Sequence, residues 1–160
     1  MKKHLYFALI ALIVLFSLTA CSASQKEVTV ATADLAKQLA TETVTNDTLV
    51  APALADILSS TYFVEMDKIE DSAIYLGSAT TSCEVAVIKC KDSSYVTEVA
   101  ELFKTRAKNQ KELYASYNAP ESKKLDAAII TTAGNYAVLC VSDDISKAKE
   151  ILGDAGFNVK

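Results

Sequence analysis

The chain has 160 residues, 51% of them hydrophobic and 22% charged, with 16 basic against 20 acidic side chains. That length suits one domain with a real core, and the composition is globular rather than disordered or collagenous. A single histidine, His4, and only four glycines argue against histidine catalysis, histidine metal ligation and a glycine-rich phosphate cradle, so no metal and no cofactor is expected.

Met1-Lys2-Lys3-His4 is a short basic start, and Leu5 to Ala20 is apolar apart from Ser17 and Thr19. The run is shorter than the about 20 residues that a spanning helix needs, and it ends in small residues, so residues 1–20 read as a signal peptide. Leu18, Thr19, Ala20 and Cys21 resemble the bacterial lipobox. The resemblance implies cleavage before Cys21 and a diacylglyceryl thioether on its sulfur. Acyl chains of the palmitate kind contribute ~0.8 kcal/mol per buried methylene; two hold a protein on a bilayer, whereas one is marginal. The predicted address is the outer face of the cell membrane, the membrane being a partner through the lipid anchor on Cys21. Loss of Lys2 and Lys3 leaves 14 basic groups against 20 acidic, a net charge of −6. That sign repels anionic lipid and nucleic acid, so the lipid alone must anchor and no nucleic-acid partner is expected.

Residues 21–31 read as the lipidated cysteine and a tether, and residues 32–160 as a single α+β domain. Leu35 and Leu39, four apart, predict a helix over 34–40 that Thr32 or Asp34 can cap. Pro52 suits a first helical turn before Leu54, Ile57 and Leu58. Strands follow at 72–76 and 83–91, around a turn-like stretch from Gly77 to Ser82. Val96, Val99, Ala100, Phe103, Ala107, Gln110, Tyr114 and Tyr117 recur at steps of three or four, predicting a long helix over about 94–116. Asn118 to Ser122 ends it. Residues 126–132 and 136–141 flank Gly134-Asn135 as a hairpin. Asp143-Asp144 opens a last helix, with Ile145, Ala148, Ile151 and Leu152 inward and Gly153 at its stop. The order strand-strand-helix thus occurs twice. The expected fold is a four-stranded, mainly antiparallel sheet of two ββα units, with helices on one face and short helices before it.

Beyond Cys21 an odd number of thiols remains: Cys83, Cys90 and Cys140. Cys83 and Cys90, seven apart on one strand, point to opposite faces about 23 Å apart, which forbids a bridge between them. Cys140 shares the face of Cys83, so a Cys83–Cys140 bridge is allowed, but the odd count closes no framework and favours three free, buried thiols. The pairs Glu70-Asp71 and Asp143-Asp144 stand at element starts, where carboxylates accept free amide hydrogens. Arg106, Gln110, Tyr114 and Tyr117 share one side of the long helix. They form either a stripe that grips an anionic or planar ligand or the packing of helix on sheet, with polar heads at the rim.

Glu84-Val85-Ala86-Val87-Ile88-Lys89 leading into Lys91-Asp92, Arg106 with Gln110, Tyr117 with Pro120, and Leu125 leading into Gly134-Asn135-Tyr136 carry a further likeness. On these residues the stretch from about 35 to 152 resembles a family of small bacterial lipoproteins, chiefly of Firmicutes, known as the domain of unknown function 4358. The family's Arg…Gln…Tyr-x-Pro pattern has one residue more here, because Asn118-Ala119 separate Tyr117 from Pro120. The three internal cysteines stand outside the pattern. The resemblance implies an envelope address and a fold, and no reaction. The function expected is a non-enzymatic binding or scaffolding module of the cell envelope, with an unknown envelope protein or ligand as partner. Two alternatives differ in class: a thiol-redox or other enzyme using Cys83, Cys90 or Cys140, and a small-ligand capture domain linked to transport.

Overall fold

The computed structural model describes residues 27–52 and 54–159; the segments expected to be signal peptide, lipobox with Cys21 and start of the tether lie outside the described residues. Helix α1 (Thr32–Thr43) and the short α2 (Leu54–Ser60) come first. Then follow β1 (Ile69–Leu76), β2 (Glu84–Cys90), the long α3 (Val96–Ala115) and α4 (Ala119–Lys124). Strands β3 (Ile129–Ala133) and β4 (Tyr136–Val141) and helix α5 (Ile145–Asp154) complete the chain. The fold is α+β, as the sequence predicts.

The four strands form one sheet in the order β1-β2-β4-β3, antiparallel throughout. The predicted hairpin forms between β3 and β4, β1 pairs antiparallel with β2 across the turn-like stretch, and β2 and β4 meet in the middle, with Glu84 opposite Val141 and Lys89 opposite Tyr136. Within the β3–β4 turn only Gly134 has a positive φ, the pattern of a type II′ connection.

One expectation is corrected: helices cover both faces, not one. On face one, Val85, Val87, Val138 and Cys140 pack with Leu35 and Leu39 of α1 and with Ala148, Ile151 and Leu152 of α5. On face two, Ala86, Ile88, Ala137 and Leu139 pack with Val99 and Phe103 of α3 and with Leu58 and Tyr62. All of β4, and all of β2 except half-buried Lys89, is buried. An unbroken apolar strand of that kind needs cover on both sides, whereas a one-sided sheet alternates. The two ββα units therefore send α3 and α5 to opposite faces.

Local signals hold in part. Asp144 caps α5, its carboxylate accepting from the Lys147 amide at 2.9 Å, and Asp92 accepts from Ser94 N at 2.7 Å just before α3. Helix α1 has no side-chain cap; Ala31 precedes it, and Thr32 instead donates its hydroxyl to Asp71 at 2.5 Å. Gly153 lies inside α5, and the glycine with positive φ after the helix is Gly156, at 101°. Asn118 to Ser122 does not merely end α3, since Pro120 sits in the first turn of the additional helix α4.

Two ends of the sheet matter below. At the near end, β2 and β3 finish, and the chain enters from residue 27: Val28 is buried in the face-one core, and the Tyr136 hydroxyl donates to Val30 O at 3.1 Å. Packing therefore reaches back past residue 31. At the far end, β1 and β4 finish and the β1–β2 loop, the α3 terminus, α4 and Asp143 converge.

Candidate functional site

Glu84 opens β2 on face two, a position that the strand pattern gives to an apolar side chain. Its carboxylate is 7% exposed and is met by Arg106 of α3, Nε to Oε1 at 3.2 Å and Nη2 to Oε2 at 2.8 Å. Such a fork-to-fork pair is geometrically specific as well as strong. The Tyr62 hydroxyl donates to the same Oε1 at 2.5 Å, and its ring lies under the guanidinium at 5.7 Å. Burial, then the Glu84 charge, raises the Tyr62 phenol well above its ordinary value. Burial works to lower the Arg106 guanidinium, but the Glu84 bond and charge outweigh it and hold it above its usual value.

A second charged cluster ties four segments together. Lys124, at the end of α4, reaches Asp143 at 2.8 Å, Glu121 at 3.0 Å and the Cys83 sulfur at 3.3 Å. Asp143 also accepts from the amides of Thr45 and Asn46, at 2.8 and 3.1 Å. Glu121 accepts from Ser82, from its amide at 2.7 Å and its hydroxyl at 2.8 Å. Burial works to raise both carboxyls, yet Lys124 with the amides holds Asp143 well below the usual range, and Ser82 with Lys124 lowers Glu121. Every charged head here is already spent on closing a loop.

The predicted stripe divides along α3. Arg106 is committed to Glu84, and buried Tyr114 donates its hydroxyl to Thr81 O. Gln110 is half-buried, while Tyr117 is 58% exposed with its ring 5.2 Å from that of Tyr114. The polar heads thus reach the rim of the sheet. Arg106 and Gln110 also line a cleft of ≈ 310 Å³ with Thr61, Phe63 and Leu102. Phe63 carries φ of 58° and is 70% exposed. A bulky residue in the left-handed region is strained, and such strain concentrates at binding sites.

All three thiols are free and buried. Cys83 and Cys140 lie on face one and Cys90 on face two, as the spacing predicts. Burial pushes Cys90 and Cys140 up to about 11 and raises Cys83 despite Lys124. Glu70 pairs with Lys89 at 2.7 Å across the strands. Among the described residues no group of three or more His, Cys, Asp or Glu is placed to hold a metal, and no helix is long and apolar enough to cross a membrane.

Sequence reasoning missed Glu84 as an ionic partner, the Lys124 cluster and Phe63. Each depends on segments distant in the chain meeting in space, as Glu84 meets Arg106 and Lys124 meets Asp143; the only local signal was an acidic residue at the head of an apolar strand.

No curated protein and no solved structure matches the chain. The family model described as "Domain of unknown function (DUF4358)" matches residues 45–142, from the loop before α2 through β4. That span holds the whole sheet, α3, and the Glu84, Arg106 and Tyr62 contacts. The chain belongs to the DUF4358 family.

Proposed function

We propose that this chain is a lipid-anchored extracytoplasmic module that binds or scaffolds a partner at the outer face of the membrane and carries out no reaction of its own. The observation that carries this reading is the basic start and apolar run ending in Leu18-Thr19-Ala20-Cys21. Supporting it, the ionic clusters are closed on themselves, and each of the three thiols is buried with a raised pKa, a poor state for a nucleophile. Only six residues separate Cys21 from buried Val28, so the fold begins within about 25 Å of the anchored sulfur at full extension. The cleft at Phe63, Arg106 and Gln110 is the surface assigned to the partner.

Cys21→Ser is the direct test. The wild-type chain should partition into a detergent phase at a processed mass that includes the lipid, and the variant should lack both the processing and the lipid mass. Equal partitioning and equal mass would remove the anchor and the address with it.

A further inference from the structure

The two edges of the sheet are built differently. Strand β1 has the usual defences: it carries Glu70 and Asp71, its register slips between Ile69 and Asp71, and Val50 pairs across its outer side at Leu76. Charges, irregularity and cover of this kind stop an edge from pairing with another chain. Strand β3 lacks the charges and the irregularity, and the chain's end meets it through a side chain, Thr131 Oγ1 donating to Asn158 O at 3.4 Å, rather than by pairing with its outer backbone. Ile129-Ile130-Thr131-Thr132-Ala133 is uncharged, mostly β-branched and free of proline, and its register with β4 is unbroken. In the ladder closed by Ala133 opposite Tyr136, alternate residues face β4, so the amides and carbonyls of Ile130 and Thr132 point outward. A groove of ≈ 390 Å³ runs along this edge, with Asp126, Ile145, Lys149 and Val159 on its rim.

We propose that β3 pairs antiparallel with β3 of a second copy of this chain, about a two-fold axis at Thr131. Ile130 then exchanges both main-chain hydrogen bonds with Thr132 of the copy, and Thr132 with its Ile130, giving four bonds and an eight-stranded sheet. The register satisfies each outward group once, and no other centre on this five-residue strand does so symmetrically. Charge favours a second copy over an acidic or basic partner. The strand is neutral, and its rim has one residue of each sign, Asp126 and Lys149, on a chain that is otherwise net acidic. A two-fold normal to the sheet also leaves face one of both copies on the same side. Both Val28 ends, which belong to face one, thus leave from that side, as two anchors in one bilayer require. This last point alone rests on the anchor reading.

The test uses the full chain carrying Cys21→Ser, so that the outcome is independent of the anchor. Thr131→Cys places two thiols directly opposite in a non-hydrogen-bonded pair, the geometry that closes a disulfide, while Cys83, Cys90 and Cys140 stay buried. Under mild oxidation it should give a covalent dimer at least about tenfold more abundantly than Gly153→Cys, an exposed control on α5. Thr132→Pro removes an outward amide and leaves the β4 ladder intact, so mass measured by sedimentation should fall from dimer to monomer with the circular dichroism unchanged. Where proline disturbs folding, Thr132→Lys at the same exposed position should do the same. A wild-type chain that sediments as a monomer at every concentration, or Thr131→Cys chains that join a different protein in preference to one another, overturns the pairing.

Discussion

The Glu84–Arg106 pair is asymmetric, and the asymmetry can be measured. Glu84 is 7% exposed and Arg106 20%, so a guanidinium that loses its partner can swing toward water while the carboxylate cannot. Arg106→Ala leaves a buried charge with only the Tyr62 hydroxyl and should cost about 3–5 kcal/mol. Glu84→Gln keeps a hydrogen-bonding group and should cost about 1–2 kcal/mol. Urea denaturation of both variants decides it; equal costs, or the reverse order, would mean that the ion pair is not what holds α3 to β2. Asp143 supplies a pH test. Its folded pKa is depressed, so its contribution is complete above the unfolded value of about 3.9 and is lost as pH falls through that range toward the folded value. Glu121, lowered by Ser82 and Lys124, acts in the same direction. Wild type should therefore be clearly more stable than Asp143→Asn at pH 6, and the gap should close as pH falls below about 4. A gap that is constant with pH would show that Asp143 is not ionised in the cluster.

At the scale of the elements, two glycines separate what the sequence shows from what only packing decides. Gly153 stands where the periodicity of α5 stops, so it reads as a helix stop. The helix runs on through it, and a Cβ there would meet nothing within 4 Å. Gly153→Ala should stabilise by about 0.5–1 kcal/mol through helix propensity. Gly77, in the loop after β1, has no distinctive sequence context. A Cβ there would lie 2.5 Å from Thr81 Cγ2, 2.8 Å from Asp47 Oδ2 and 2.9 Å from Cys83 O. Gly77→Ala must push backbone and break the bond from Ser78 N to Asp47, and should destabilise by about 1–3 kcal/mol. Thermal melts of the pair should move in opposite directions. The same contrast governs the fold. Periodicity located α3, α5 and the β3–β4 hairpin because amphipathic spacing is local. The faces that the helices cover were legible too, in the unbroken apolar runs of β2 and β4, but a pattern of two ββα units suggested one covered face. The meeting of Glu84 with Arg106, or of Lys124 with Asp143, was not legible, since nothing local reports a contact made across the sheet.

For the whole molecule, the place where folding begins along the chain follows from the face-one core. Composition puts the domain boundary at residue 31, because residues 22–31 are small and polar except for Val28 and Val30. Yet Val28 is 9% exposed among the core residues, Val30 packs against that core, and the Tyr136 hydroxyl is tied to Val30 O. Tyr136 stands on β4 opposite Lys89 and meets Phe157 edge-on, with ring centroids 6.4 Å apart. The entering strand of chain is thus clamped between the β3–β4 turn and the residues after α5. Removing residues 27–31 would uncover the side of Tyr136 and leave its hydroxyl without that acceptor. A valine side chain contributes about 1.5 kcal/mol or more when buried, and a hydrogen bond about 1 kcal/mol. A chain begun at Thr32 should therefore be less stable than one begun at Glu27 by about 2–3 kcal/mol, read as a lower urea midpoint at unchanged slope. Val28→Ala in the longer chain should by itself reproduce part of the loss, and Tyr136→Phe another part. If both chains unfold at the same midpoint, residues 27–31 stand outside the fold, as their composition suggests.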